Sequence, residues 1–367
     1  MLERVGVMLP WRRRAGIRFG YASLALVNIR TPMRNPVLVE ITRGPLVESR
    51  HAGAVAAVRA SGEVVAAVGD VAAPVFPRSA IKPLQALALV ESGAVEAFGF
   101  GAPEIALACG SHAGTPAHVA LARSMLARAG LPATALACGV HQPMDADSAR
   151  ELIRSGTSPS ALTHNCSGKH AGMLATAAHL GEPVEGYWRP EHPVQQRIER
   201  ALEAMTGCPL GPEVRGTDGC SVPNWAMPLA GLARAFARLA TGEGLSAARA
   251  DACRRIAQAC WAHPNLVAGP GWLVTLVMQR LPGKVLIKSG AEGVYCGALP
   301  ERGLGFAIKI DDGAMRAAEV VAADIVARAY PAAQHLGPSR SISNWRGVEV
   351  GRLRATDALE AMLGKLQ

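Results

Sequence analysis

The chain has 367 residues, half of them hydrophobic, and a formal net charge of +9 at pH 7. This composition excludes a disordered or low-complexity protein, and no apolar run reaches the roughly 18 residues that a transmembrane helix needs. Aromatic residues make up only 4% of the chain, and no basic stripe with interleaved aromatic residues follows Met33, so neither membrane insertion nor nucleic-acid binding is expected.

The positive charge is concentrated at the N-terminus, where residues 1–32 contain six Arg and one Glu and leave a net charge of +4 for the rest. An apolar run follows Arg14 there, but it is short and no small-residue cleavage site follows it, as a secretory signal would require. The eight cysteines are scattered rather than densely spaced, so we expect free thiols. We therefore expect a cytoplasmic protein, with residues 1–32 as a loosely held extension and Met33 as an alternative start.

Hydrophobic periodicity divides the sequence into three regions. Near the N-terminus, strands are predicted at 37–42, 46–59 and 63–68. The Ser-Gly pair between the last two predicts a hairpin. Helices are predicted in the middle region at 79–90, 117–129, 169–180, 194–205, 225–239 and 247–261. Strands and then one helix are predicted again at 284–288, 293–299, 304–310 and 314–330. A polar loop rich in Pro, Gly and Ser is predicted at 331–347, before a last helix.

Neither group of strands can bury a sheet face alone. We therefore predict an α+β fold, an α/β/α sandwich, in which one antiparallel sheet is built from both chain ends and the helical middle forms a second lobe. The catalytic domain would span 36–330, with a sheet lobe at 36–75 and 284–330 and a helical lobe at 79–280. A C-terminal loop and helix would occupy 331–367. Active sites favour the seam between such lobes.

Lysine is rare in this sequence, with six lysines against 32 arginines. A buried lysine loses its proton far more readily than an arginine, so each lysine is a candidate for chemistry. Ser79 and Lys82 are three residues apart at the start of a predicted helix, which would place both side chains on one face, with the amine close enough to take the hydroxyl proton. This requires burial or a second cation to lower the pKa of Lys82. The alternative interpretation is a capping serine and a solvated lysine.

A second lysine motif, Lys288-Ser289-Gly290, stands at the end of a predicted strand and supplies the second cation. A Ser-x-x-Lys motif, an intermediate Ser and a Lys-Thr/Ser-Gly strand, in this order, form the signature of serine β-lactamases and penicillin-binding proteins. The intermediate serine would be Ser111, for which a polar turn is the alternative. Glycine at 290 would let the strand approach a substrate closely.

Cys166 and Lys169 belong to another polar cluster, which Asp218 and Cys220 join. The segment around Lys169 only partly matches a phosphate-binding loop, because Thr163 stands where that loop needs its first Gly, so nucleotide binding is not expected. Two thiols flanked by His and Asp could hold zinc, which soft sulfur ligands favour. No Cys-x-x-Cys or His-x-x-x-His framework supports a zinc site, so spacing alone leaves the metal open.

Seven blocks stand in order along the sequence: Val39-Glu-Ile-Thr-Arg-Gly, Val47-Glu-Ser-Arg-His, Phe76-Pro-Arg-Ser-Ala-Ile-Lys-Pro-Leu-Gln, His164-Asn-Cys-Ser-Gly-Lys-His-Ala-Gly-Met, Asp218-Gly-Cys-Ser-Val-Pro-Asn, Lys288-Ser-Gly-Ala-Glu-Gly-Val-Tyr-Cys and Ile310-Asp-Asp-Gly. Together they resemble the Rhizobium-type L-asparaginases, the class 3 asparaginase II family. The resemblance covers about 36–330 and leaves the tail outside. It implies a serine-β-lactamase-like fold, a homodimer, and hydrolysis of L-asparagine to L-aspartate and ammonia.

The resemblance also implies roles for individual residues. By motif, Ser79 resembles the nucleophile and Lys82 its base, while Ser111 and Lys288 resemble a second Ser–Lys pair. The family's zinc would be held near the active site by Cys166, Lys169 and Cys220. A serine nucleophile needs no metal-bound attacker, so this zinc would orient the substrate or fix the pocket.

The substrate's α-carboxylate and α-ammonium groups also need partners. The candidates are Arg78, His112 and Asp218, with Ser289 and Gly290 on the adjacent strand. Other functions remain open at this point. They are a β-lactamase, peptidase, esterase or other serine amidohydrolase of the same fold, a metallohydrolase, and a zinc-binding relative without catalytic activity.

Overall fold

The computed structural model describes residues 35–366, so the predicted extension at 1–32 lies outside the described residues. The strands are β1 (Val37–Arg43), β2 (Leu46–Arg59), β3 (Val64–Val68), β4 (Pro74–Val75), β5 (Arg215–Thr217), β6 (Pro223–Trp225), β7 (Met227–Pro228), β8 (Leu286–Ser289), β9 (Val294–Leu299), β10 (Leu304–Ile310), β11 (Ser341–Ser343) and β12 (Glu349–Ala355). In this part of the protein no helix is both long and apolar enough to cross a membrane.

The helices occupy mainly the middle of the sequence. They are α1 (Lys82–Gln85), α2 (Leu87–Glu91), α3 (Ala94–Ala97), α4 (Ala102–Ala108), α5 (Pro116–Arg128), α6 (Ala146–Arg154), α7 (Ser167–His179), α8 (Pro193–Thr206), α9 (Leu229–Thr241), α10 (Ala247–Ala262), α11 (Pro264–Val267), α12 (Leu273–Arg280), α13 (Met315–Ala329) and α14 (Asp357–Leu363). Short 3₁₀ helices lie at Arg78–Ile81, Ala133–Ala135, Pro212–Val214, Pro300–Arg302, Pro331–Leu336 and Gly364–Leu366.

One antiparallel sheet organises the fold, with the strand order β11-β12-β1-β2-β10-β9-β8 and β3 paired with β2. The long strand β2 joins the two ends of the protein. Its first half pairs with β1, where Ser49 faces Ile41, and its second half pairs with β10, where Ala57 faces Phe306. The prediction of one antiparallel sheet built from both chain ends is confirmed.

Helices cover both faces of this sheet at its centre. All six residues of β9 are buried, and successive residues of a strand point to opposite faces. Both α9 and α13 pack on β9 and β10. The α9 helix comes so close to β10 that a Cβ built on Gly305 would lie 1.9 Å from the Ala233 carbonyl oxygen. The α/β/α arrangement predicted from the sequence is therefore present.

Gly305→Ala is expected to destabilise the protein by about 1–3 kcal/mol, because a methyl group cannot fit between β10 and α9 without displacing backbone. Gly364→Ala is a suitable control, since Gly364 has a helical φ of −56° and no atom within 4 Å of the position that a Cβ would occupy. Urea unfolding should give a lower midpoint for the first variant only. Equal midpoints would contradict the close packing of this helix on the sheet.

Two predicted helices begin differently from the expectation, and proline explains both. The segment predicted as one helix over 79–90 is a 3₁₀ turn followed by α1 and α2. Pro83 has no N–H group to donate to the residue 79 carbonyl, so the α-helical bond is missing there. The helix predicted from residue 225 begins at Leu229, directly after Pro228, and the preceding residues form β6 and β7.

The tail was predicted as a polar loop at 331–347 before a last helix, and this description is incomplete. The structure adds the strands β11 and β12, and β12 pairs with the outer edge of β1, where Leu353 faces Ile41. Only one of the seven residues of β12 is buried. This strand lies between β11 and β1, and its seven residues include three charged ones and a glycine, so it lacks the hydrophobic signal of the central strands.

Candidate active site

A cleft of about 670 Å³ opens where the end of β8 meets the 3₁₀ turn before α1. Its polar lining comprises Ser79, Ser111, Asn165, Ser289, Tyr295 and Glu319. The predicted motifs on β8 and before α1 therefore meet at one cavity, although more than 200 residues separate them in the sequence. The cleft also receives Ser111, which follows α4.

Ser111 lies between two buried lysine amines. Lys82 Nζ donates a hydrogen bond to Ser111 Oγ at 2.9 Å, and Lys288 Nζ donates to the same oxygen at 3.0 Å. Burial, with a smaller contribution from the positive charge of the neighbouring Lys82, lowers the pKa of Lys288 to about 7. An amine with this pKa is partly neutral at physiological pH, so it can accept a proton from a hydroxyl group.

No hydrogen bond joins the Ser79 hydroxyl to the Lys82 amine in the described structure. Besides Ser111 Oγ, the Lys82 amine donates to the Gly110 carbonyl oxygen at 2.7 Å and, at 3.5 Å, to that of Asn165. These three acceptors match the three hydrogens of an ammonium group. Ser79 is half-buried and lines the cleft together with Ser111. The lysine of the Ser-x-x-Lys motif is thus held against the second serine instead of the first.

The turn that carries Ser79 has an unusual backbone. Arg78 has a φ of +51°, in the left-handed region that favours glycine. On its other side the turn is approached closely by the end of β8, since a Cβ on Gly290 would lie 2.5 Å from the Pro77 carbonyl oxygen. The glycine of the Lys-Ser-Gly motif therefore allows β8 to approach the serine-bearing turn.

Arg78 and Asp218 form an ion pair next to this turn. Arg78 Nε lies 2.8 Å from Asp218 Oδ1, and the Asp218 side chain is 8% exposed. Burial raises the pKa of Asp218, but Lys169 and Arg78 together outweigh this effect and lower it. The Arg78 side chain is 29% exposed, and both residues line a neighbouring cavity of about 520 Å³. Two of the three predicted partners for an amino-acid head group are therefore in contact.

His112, the third predicted partner of the amino-acid head group, is not part of the cleft wall. Its side chain is fully buried. The Gly114 N–H donates to Nδ1 at 3.2 Å, and Nε2 lies 2.9 Å from Ser167 Oγ. Burial lowers the pKa of His112 well below its ordinary value, so the ring is neutral. In this position His112 supports the segment that carries Ser111.

The predicted zinc ligands Cys166, Lys169 and Cys220 are all buried and lie together. Lys169 Nζ is 2.9 Å from Cys220 Sγ, and the Cys166 thiol, which donates to Asn165 Oδ1 at 3.2 Å, lies near enough to both groups to influence their pKa values. Burial lowers the pKa of Lys169, but the two cysteines and Asp218 outweigh it and raise the pKa. Among residues 35–366, no group of three or more His, Cys, Asp or Glu could hold a metal. The ligand set that the resemblance implies contains two such residues, Cys166 and Cys220, with the Lys169 amine as its third member.

The donor chemistry nevertheless suits zinc. Two thiols and an amine, with the Asp218 carboxylate 3.7 Å from Cys220 Sγ, supply the soft and borderline donors that zinc prefers. Zinc binding would require the Lys169 amine and the Cys220 thiol to lose protons, because the pKa values of both are raised. The neighbouring Cys220 instead lowers the pKa of Cys166 well below its ordinary value, which favours the thiolate.

Some lining residues could not be recognised from the sequence patterns. Asn165 lies within a motif block but received no predicted role, and Glu319 on α13 carries no motif at all. Leu336 belongs to the tail that the family resemblance excluded, yet it lines the cleft. In the structure, the pairing of β12 with β1 and the packing of α14 on β1 and β3 hold the tail against the rest of the sheet.

Solved structures that match this protein include a β-lactamase from Mycobacterium bovis, which shares 16% identity at a TM-score of 0.37. The match covers 77% of this protein and 92% of that one. A structure of Mglu in its tris and glutamate form shares 15% identity at a TM-score of 0.44. That match covers 84% of this protein and 65% of the other chain. No curated protein matches the sequence significantly.

A comparison of the sequence with protein families gives a match over most of the chain. Residues 39–355 match the L-asparaginase II family, a span that includes all seven sequence blocks and the tail strands β11 and β12. The resemblance drawn from the sequence stopped at about residue 330 and was too short. From the matched span and the motifs that it contains, we conclude that the chain belongs to the L-asparaginase II family.

Proposed function

We propose that this protein is an L-asparaginase that hydrolyses L-asparagine to L-aspartate and ammonia through a covalent ester on Ser79. Family membership supports the substrate. The observation that carries the serine mechanism is the contact of Ser111 with two buried amines in the cleft that Ser79 also lines. One of these amines, Lys288, has a pKa near neutrality.

The amino-acid head group would bind beside Ser79. The half-buried Arg78 guanidinium suits the α-carboxylate, and the Asp218 carboxylate suits the α-ammonium group. Both side chains then keep partners of opposite charge when the substrate enters. The side-chain amide would reach Ser79, the next residue after Arg78.

In the proposed reaction Ser79 Oγ attacks the amide carbon, and backbone N–H groups stabilise the resulting oxyanion. The serine proton passes through Ser111 to neutral Lys288. The sequence assigns the base to Lys82, but its amine already donates to three oxygens, so we propose that Lys82 orients Ser111. The proton then returns to the leaving ammonia as the C–N bond breaks. Water attacks the ester by the reverse route and releases aspartate.

A substrate panel tests this function. Ammonia and aspartate should be released in equal amounts from L-asparagine, with less from L-glutamine and no opening of a chromogenic cephalosporin or cleavage of a simple ester. Turnover of the cephalosporin or the ester without release of ammonia from asparagine would favour another enzyme of the same fold. Activity abolished by a chelator and regained with zinc alone would favour a metallohydrolase.

We further propose that zinc binds Cys166, Lys169 and Cys220, where it would neutralise the thiolates and fix the pocket wall beneath Asp218. Lys169→Arg is expected to reduce zinc content at least about tenfold, because guanidinium does not deprotonate in proteins. Lys284→Arg, at a half-exposed position, serves as the control. Elemental analysis of the purified variants measures the effect. Equal zinc in both variants would remove Lys169 from the ligand set.

The resemblance also supports a homodimer, and the eight free cysteines support a cytoplasmic location. Light scattering coupled to size-exclusion chromatography should therefore give twice the mass of one protomer. A monomer at micromolar concentration would contradict the dimer, and recovery of the protein from a periplasmic or secreted fraction would contradict the location.

A further inference from the structure

The cleft that Ser79 and Ser111 line extends well beyond the two serines and becomes apolar. Its volume of about 670 Å³ lies in the range of pockets that hold drug-sized ligands. Much of the wall beyond the serines is apolar and includes Met144, Trp272, Leu273, Leu276, Met315 and Leu336. Asparagine, with nine non-hydrogen atoms, would leave most of this space unfilled.

The charges around the cleft indicate which part of a substrate occupies this space. Among the described residues that line it, Glu319 is the one charged side chain, so an α-carboxylate would find no cationic partner there and one acidic neighbour. The cationic partner for a carboxylate is Arg78, which lines the neighbouring cavity instead. If the head group binds Arg78 and Asp218, the apolar space is left for the leaving-group side of the amide.

The polar groups that would receive the leaving amine lie on the same side. Ser111, which contacts both lysine amines, lines the apolar cleft together with Ser79. An amine expelled from the acyl carbon would take its proton from Ser111, and any substituent on the nitrogen would extend towards α12 and α13. Leu276 on α12 and Met315 on α13 are half-buried, so their side chains are available for contact.

We propose that the enzyme hydrolyses asparagine derivatives whose side-chain amide nitrogen carries an apolar or aromatic substituent, which the cleft binds during cleavage. This inference rests on the proposed asparaginase function. The bond that breaks is the C–N bond of the substituted amide, and the Ser79 ester forms in its place. The primary amine leaves with the proton that Ser79 gave up. Water then hydrolyses the ester, so the products are aspartate and the amine.

The test compares the N-benzyl and N-methyl side-chain amides of L-asparagine, which both release a primary amine and differ in apolar surface. Benzylamine is the less basic leaving group, and this intrinsic difference cancels when the ratio of the two rates is compared between enzyme variants. Aspartate release is measured for both and for L-asparagine. The kcat/KM for the benzyl amide should exceed that for the methyl amide by roughly tenfold or more, the gain expected from burying a phenyl ring. In Leu276→Trp, which fills the cleft, this ratio should fall at least about fivefold.

Leu121→Trp is the matched control, since Leu121 is a half-buried leucine on α5 outside the cleft lining. Its benzyl-to-methyl ratio of kcat/KM should stay within about twofold of the value for the unaltered enzyme. The unaltered enzyme tests the inference without any variant. Asparagine turnover with a benzyl-to-methyl ratio of one or less would overturn this inference and leave the asparaginase function standing. If no aspartate were released from asparagine or from either amide, both this inference and the proposed asparaginase function would be overturned.

Discussion

Ser79→Ala is expected to lower kcat for L-asparagine by about 10⁴-fold or more, because the variant lacks the oxygen that forms the ester. Ser79 is half-buried, and no side-chain hydrogen bond from it is present in the described structure. Its removal should therefore change the free energy of unfolding by less than about 0.5 kcal/mol. Ammonia release and urea unfolding, measured on the same preparation, separate these two effects.

Ser92→Ala is the control for this variant. Ser92 is also half-buried, but it lies at the end of α2, away from the cleft, where it donates to the Leu89 carbonyl oxygen and accepts from the Ala94 N–H group. Its kcat should stay within about twofold of the unaltered enzyme. If Ser79→Ala kept more than a tenth of the activity, Ser79 would not be the nucleophile, and Ser111 would become the candidate because it is the serine in contact with both amines.

Lys288→Met is expected to abolish activity and yet stabilise the fold. Burial lowers the pKa of Lys288 from 10.5 to about 7. The unfolded protein therefore holds this proton more tightly than the folded protein, and folding at neutral pH must release it. The cost grows as the pH falls from about 10.5 to 7 and is constant below that. Removing the amine should stabilise the protein at pH 7 by on the order of 1–3 kcal/mol, after the loss of its hydrogen bonds.

The pH dependence gives the sign of this effect. The stability gain of Lys288→Met should be largest at pH 7 and below, and should shrink towards zero as the pH approaches 10. In the unaltered enzyme, kcat/KM should rise with pH through about 7, since the base must be neutral. Lys284→Met, at a half-exposed position before β8, should show neither effect. A destabilised Lys288→Met at pH 7, or a flat pH–rate profile between 6 and 8, would contradict the assignment of Lys288 as the base.

Much of the site could be predicted from the order of the motifs. Lys82, Ser111 and Lys288 are far apart in the sequence, but a Ser-x-x-Lys turn and a Lys-Ser-Gly strand meet in one known arrangement, and the structure brings the three side chains into contact. The rarity of lysine indicated the same residues by a separate physical argument, since arginine cannot supply a removable proton.

Side-chain partners within the site could not be predicted in the same way. The spacing of Ser79 and Lys82 suggested a direct contact, because a continuous helix was assumed. Pro83 interrupts the helical bonding there, and three oxygens from other segments compete for the amine. His112 was also predicted as a substrate partner, but its ring is buried and bonds to Ser167 and the Gly114 N–H group instead.

The sheet core was predictable and its edge was not. Strands β9 and β10 are buried along nearly all of their length and β2 along most of its second half, so all three carry long apolar runs. Strand β12, next to the outermost β11, is interrupted by three charged residues, and the tail was therefore predicted as loop and helix. This omission also concealed Leu336 as part of the cleft wall.

The most direct test of the account is to trap the covalent intermediate. The enzyme would be mixed with L-asparagine, quenched in acid within milliseconds to seconds, digested and analysed by mass spectrometry. We expect an added mass of one β-aspartyl group on the peptide that contains Ser79, and none in Ser79→Ala. An adduct on the Ser111 peptide, or full turnover with no adduct on any serine, would contradict a serine-ester mechanism centred on Ser79.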